Sequence, residues 1–257
     1  MASNSKDTPR PLIALLREQG YGSKKECLRR LRAGEVEIGR EAGEETAWRP
    51  AEDPEELLAA EGLVLRVAGL ALPFRKRLYL AFHKPAETEC SRLPTYHRSV
   101  FSFFPAPFLE RGLQSVGRLD ADTTGLLLLS DDGDFNHVLT SPRRHVPKTY
   151  QVETRHPIAP DQVERLTRGV ELRSEEGATR PARVELQGEK RCELTIEEGK
   201  YHQVKRMFAA VGNRVEMIHR VGIGALRLEA ELLPGQWRYL TAEERVKLGF
   251  LEIAGGV

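Results

Sequence analysis

The chain has 257 residues, 40% of them hydrophobic and 30% charged, a balance that supports a buried core and excludes a disordered or fibrous protein. Its longest apolar runs, such as Leu126 to Leu129, fall far short of the roughly 18 to 20 residues of a spanning helix, so no membrane span is expected. The formal charge of +1 argues against wholesale attraction to nucleic acid, but it conceals segregation: Lys6 to Arg40 carries net +4 and Glu41 to Gly62 net −7.

Residues 1 to 9 read as a disordered polar tail, without the apolar centre of a secretory signal, so a cytoplasmic protein is expected. Leu12, Leu15 and Leu16 predict a short helix ended by Gly20 and Gly22, and Ser23 caps a second helix running through Leu31. Lys24, Lys25, Arg29, Arg30 and Arg32 crowd that second helix and give it a basic face, which either has a functional use or is simply a solvated surface. Val36 and Ile38 alternate as a strand. The acidic stretch from Glu41 to Glu61, broken by Pro50 and Pro54, separates this from an alternating run at Leu63 to Leu72.

A domain boundary is expected near Pro73 to Lys76. Beyond it, Leu78 to Phe82 predicts a strand ending at Lys84-Pro85, and Val116 to Leu129 a polar turn running into an apolar strand. Lys148 to Thr154 predicts a strand, Pro160 to Arg168 a helix, and Arg183 to Glu197 two strands about Gly188-Glu189. The spacing of Val204, Met207, Phe208 and Val211 predicts a helix over His202 to Val211, stopped by Gly212. Strands at Val215 to His219 and Ala225 to Glu229 follow, and Thr241 caps a last helix. Cys27, Cys90 and Cys192 lie far apart without metal-ligand spacing, and the histidines show none either, so no disulfide framework and no metal site are expected.

The most informative segment runs from Gly117 to Gly133, GRLDADTTGLLLLSDDG. An aspartate on a polar turn anchored by a buried strand is held reproducibly, which suits a nucleophile or base. The same residue types also suit a turn whose Asp and Thr side chains merely cap backbone amides. Residue types alone leave both uses open.

This segment, with Lys148-Thr149-Tyr150, Glu198 to Phe208 (EGKYHQVKRMF) and Pro234 to Thr241 (PGQWRYLT), resembles the RsuA-like family of ribosomal RNA pseudouridine synthases. The resemblance implies an α+β protein: a small RNA-binding domain over 10–73, like one found in a small-subunit ribosomal protein, then a catalytic domain over 76–254 with a mixed, mainly antiparallel sheet and flanking helices. It implies isomerisation of a uridine in small-subunit (16S) RNA to pseudouridine, with Asp120 attacking the ribose C1′ or removing a 2′ proton. Lys205 matches the basic partner of that aspartate and Tyr150 the tyrosine that stacks on the uracil. Arg118 would fill the gap left by the flipped nucleotide or hold its phosphate, and Val204 would pack on the base. Thr123 and Gln203 join the substrate contacts; charge and proximity in sequence add Lys200, His202, Arg206 and Arg214 as phosphate contacts, and Lys24, Arg29 and Arg30 supply RNA contacts from the N-terminal domain. No cofactor is implied, since the reaction is an isomerisation. The implied partner is ribosomal RNA, as small-subunit RNA or an assembly intermediate, bound by a monomer. Two alternatives stay open: the same reaction on a large-subunit uridine, and a non-catalytic ribosome-assembly protein. Where the family has Asp-Lys, this chain has Leu12-Ile13. Glu87 replaces the glycine of the family's Lys-Pro-x-Gly segment, so the loop after Pro85 is expected to take a different path.

Overall fold

The computed structural model describes residues 8–41 and 46–250 of the chain; of the expected tail, only residues 8 and 9 fall within them. Two compact units emerge. Of the described residues, one unit comprises those up to Leu78 together with Phe104–Leu113, and the other Tyr79–Phe103 together with those from Gln114 onward. Phe104–Leu113 thus packs with the N-terminal unit although it follows the boundary drawn at Pro73 to Lys76.

In the N-terminal unit, α1 (Leu12–Glu18) and α2 (Lys24–Arg32) bury Leu12, Leu15, Leu16 and Leu31 against a four-stranded antiparallel sheet. Ser23 caps α2 through a reciprocal box: its hydroxyl accepts from the Glu26 amide while the Glu26 carboxylate accepts from the Ser23 amide. The sheet contains β1 (Val36–Arg40), β2 (Leu63–Val67) and β3 (Leu70–Pro73). The sequence reads 63–72 as one alternating run. The chain instead reverses at Ala68-Gly69, both in the left-handed region (φ 49° and 83°), as a two-residue hairpin turn requires. Helix α3 (Ala106–Glu110), which no periodicity announces, completes the unit. Arg111 beside it donates to Gln19 Oε1 (3.0 Å) and the Arg75 carbonyl (2.8 Å).

The second unit is built on a nine-stranded sheet containing β4 (Tyr79–Lys84), β5 (Gln114–Val116), β6 (Thr124–Ser130), β7 (Lys148–Thr154), β8 (Arg183–Leu186), β9 (Arg191–Ile196), β10 (Val215–Ile223), β11 (Leu226–Arg227) and β12 (Trp237–Tyr239). Its order is β8-β9-β7-β10-β6-β4-β12, with β5 pairing β6 and β11 pairing β10. All pairs are antiparallel except β6 with β10, which makes the sheet mixed and mainly antiparallel. Leu126 to Leu129 are buried on both faces, so this central strand reads as a continuous apolar run. The acidic turn at Asp131 to Gly133 proves to be a helix start: Asp132 caps α4 (Gly133–Thr140) by accepting from the Asp134 and Phe135 amides. Helices α5 (Pro160–Arg168), α6 (Gln203–Ala210) and α7 (Ala242–Lys247) complete the unit, and Thr241 caps α7. Among the described residues, no helix is long and apolar enough to cross a membrane.

Candidate active site

The loop between β5 and β6 is the turn singled out from the sequence. Gly117 opens it at positive φ (72°), Leu119 anchors it in the core, and the Thr123 amide closes a turn on the Asp120 carbonyl (3.1 Å). Beneath it lies Lys84, fully buried at the end of β4, whose ammonium donates to the carbonyls of Pro85 (3.1 Å), Ala121 (3.1 Å) and Thr123 (2.9 Å). Burial pushes this amine down to about 8, which still leaves it charged at neutral pH. Sequence reasoning marked Lys84 only as the end of a strand; the signal was a lysine closing a mostly apolar strand just before a proline.

The other wall comes from α6 and the turn before it. Gln203 is buried and folds that turn onto the helix, donating to Glu198 Oε1 (2.6 Å) and accepting from the Lys200 amide (2.8 Å). The turn brings His202 Nε2 to 3.4 Å from Asp120 Oδ1 and Lys205 Nζ to 3.4 Å from Asp120 Oδ2. The tighter partner of Lys205 is Asp122, with both carboxylate oxygens at 2.7 Å. Burial acts to lower the Lys205 amine, but the Asp122 bond and charge, then Asp120, more than reverse this and hold it above its ordinary value. The expected pair is therefore a shared arrangement in which one ammonium bridges two carboxylates.

Asp120, Tyr150, Val204, Lys205, Ile218 and the buried Thr123 are among the residues lining a pit of about 100 Å³. The pit opens on a cleft of about 700 Å³ that also contains Arg118, Lys148, Arg220 and the exposed Tyr201, whose ring stacks on His202 (3.8 Å). The cleft volume lies in the range of pockets that enclose a nucleotide-sized ligand. Tyr150, nearly buried on β7, stands directly opposite Arg220 on β10 because Val221 is an extra residue in that pairing: Thr149 pairs Gly222 and Tyr150 pairs Arg220. A bulge of this kind redirects side chains beside a site. Gly125 permits the parallel contact of β6 with β10, since a Cβ there would sit 2.3 Å from the Arg220 carbonyl oxygen.

Not every residue named from the sequence is free for a ligand. Arg118 is exposed on the rim and makes no ion pair among the described residues. Arg206 is committed to Glu175 (3.0 Å) and to the carbonyls of Tyr201 and Arg173, and Lys200 also faces Glu175 (3.7 Å), so both brace the turn. In the N-terminal unit, Arg29 and Arg30 share Glu35 (3.7 and 3.2 Å), whereas Lys24, Lys25 and Arg32 are exposed without a carboxylate partner among the described residues. Glu87 adopts a left-handed backbone (φ 56°), the conformation a glycine would favour. Among the described residues, no cluster of three or more His, Cys, Asp and Glu side chains is arranged to hold a metal ion.

Residues 78–210 match the model of a family described as RNA pseudouridylate synthase. The chain belongs to this family. It is 41% identical over 224 residues to the ribosomal small subunit pseudouridine synthase A of Vibrio parahaemolyticus, covering 86% of this chain and 92% of that protein. It is 47% identical over 166 residues to the protein of the same name from Escherichia coli K12, covering 65% of this chain and 71% of that one. A solved structure described as a pseudouridylate synthase superposes with a TM-score of 0.65 at 34% identity, covering 93% of this chain and 99% of that one. The site thus lies within an RNA pseudouridine synthase of the RsuA-like group, an isomerase.

Proposed function

We propose that this enzyme isomerises one uridine of small-subunit ribosomal RNA to pseudouridine, acting as a monomer in the cytoplasm on the RNA or on an assembly intermediate. The observation that carries the reading is the convergence of Asp120, Tyr150, Lys205 and Val204 on one pit, in a chain whose relatives bear the small-subunit name. In the reaction the N1–C1′ bond breaks, the uracil turns and a C5–C1′ bond forms; C5 loses its proton and N1 gains one. Asp120 initiates this by attacking C1′ or by removing the 2′ proton, with Lys205 Nζ and His202 Nε2 each 3.4 Å from its carboxylate. Tyr150 supplies a flat ring for the uracil, Val204 packs against it, and Arg118 reaches from the rim into the space the flipped nucleotide leaves, repaying part of a flipping cost of a few kcal/mol.

The uncompensated Lys24, Lys25 and Arg32 on α2 support an RNA contact by the N-terminal unit, with Arg29 and Arg30 reduced to a lesser share by Glu35. The test is pseudouridine mapping by carbodiimide modification and primer extension on small- and large-subunit RNA incubated with the enzyme. A new stop in the small-subunit RNA is expected. A stop only in the large-subunit RNA would keep the reaction and reassign the substrate, and none in either, even with assembly intermediates, would favour a non-catalytic assembly protein.

A further inference from the structure

The cleft beside the pit holds two cations that the proposed chemistry does not use. Arg220 is 4% exposed; its Nε donates to the Leu126 carbonyl (2.7 Å), and its Nη2 is sealed from solvent with no hydrogen-bond partner among the described residues. Lys148, at the start of the neighbouring strand β7, lines the same cleft, and its ammonium has neither a hydrogen bond nor an ion pair among the described residues. The four carboxylates lining the cleft are engaged elsewhere: Glu89 by the amides of Thr95, Tyr96 and His97, Glu197 by Arg180 (3.8 Å), Glu198 by Gln203 and the Arg180 amide, and Asp120 by His202 and Lys205. Burial and then the Arg220 charge push the Lys148 amine down to about 8. A buried and a half-buried cation lie side by side there without a counter-ion, a costly arrangement that an arriving anion would relieve.

We propose that Lys148 and Arg220 form the seat of one phosphodiester group of the RNA strand, next to the nucleotide whose base enters the pit. This rests on the RNA-modifying reading of the same cleft. The bulge at Val221 sets Arg220 opposite Tyr150, so the seat and the tyrosine are held at a fixed spacing by one strand pair. Arg118, Lys200 and Tyr201 close the cleft from the rim, while Arg220 and Lys148 supply its floor. Phosphate binding would fix the register of the strand, a task separate from base recognition.

The test compares uridine 3′,5′-bisphosphate, uridine and inorganic phosphate by calorimetric titration of the intact protein. The wild type should bind the bisphosphate at least tenfold more tightly than uridine or inorganic phosphate. Lys148→Met should reduce that preference below threefold, leave uridine affinity unchanged, and leave the melting temperature unchanged or raised, because an unpaired half-buried charge is replaced by an apolar chain of similar length. Lys148→Arg should keep the preference. Arg220→Lys is the second variant, since Arg220→Met also removes the bond to Leu126. A preference that survives Lys148→Met, or a wild type that binds bisphosphate, uridine and inorganic phosphate alike, overturns the seat. Ribosomal RNA modification that persists in that wild type shows that only the seat has failed. Loss of both uridine binding and modification shows that the enzymatic reading has failed with it.

Discussion

Replacing Lys84 by Met removes the buried tie beneath the loop that carries Asp120. Of its three acceptors, the Pro85 carbonyl keeps a donor, the Thr88 hydroxyl (2.8 Å), whereas the Ala121 and Thr123 carbonyls lose theirs. Each carbonyl left without a partner costs about 1–2 kcal/mol, and relief from burying an ammonium returns part of this, for a net loss of about 2 kcal/mol. In a protein of this size that lowers the melting temperature by about 4–8 °C. The larger effect falls on the reaction, because Ala121 and Thr123 directly follow Asp120 in the loop and a displacement of about 1 Å costs on the order of 100-fold in rate. Lys84 is fully buried and cannot touch RNA, so affinity should hold within about twofold by that argument. Calorimetry, RNA binding and single-turnover pseudouridine formation measure the three effects. A variant that melts lower but reacts at the wild-type rate would refute the idea that Lys84 positions the loop; one with unchanged melting would refute the bond energetics.

Gly125→Ala should destabilise by about 3 kcal/mol or more, because its Cβ would meet the Arg220 backbone at a positive φ (106°); a denaturant midpoint unchanged from wild type would contradict the close approach. Glu87→Gly should raise stability by about 0.5–1 kcal/mol, the left-handed cost less the added chain entropy, and a loss in urea unfolding would contradict the backbone reading. Lys205→Met should lower the single-turnover rate by about 100-fold and Asp122→Asn by less than about tenfold, since the ammonium remains beside Asp120 in the second case; the reverse order would make Asp122 the residue that matters.

The continuous apolar run of Leu126 to Leu129 and the helical spacing of Val204, Met207 and Phe208 were enough to place the central strand and α6, because burial on a regular element leaves a local pattern. Lys148–Thr154 and Pro160–Arg168 were legible to the residue for the same reason. The hairpin at Ala68-Gly69 was not, since alternation continues across a two-residue turn when one of its residues is alanine. The membership of Phe104–Leu113 in the N-terminal unit was invisible too, because it depends on long-range contacts such as Arg111 with Gln19. In the site, it was the family resemblance, not spacing, that brought Asp120, Tyr150 and Lys205 together on paper, and all three line the pit. It could not show that Lys205 lies closer to Asp122, that Arg206 is held by Glu175, or that Lys84 and Arg220 lie beneath the surface, since each of these depends on side-chain geometry between distant segments.

The reaction removes the C5 hydrogen of the target uridine, so small-subunit RNA transcribed with uridine tritiated at C5 reports it directly as tritium released to water. Wild-type protein should release close to one equivalent per RNA. Asp120→Asn, shown by calorimetry to be folded and still binding that RNA, should release none. Release by the Asn variant at the wild-type rate would contradict the assignment of Asp120 as the group that starts the reaction.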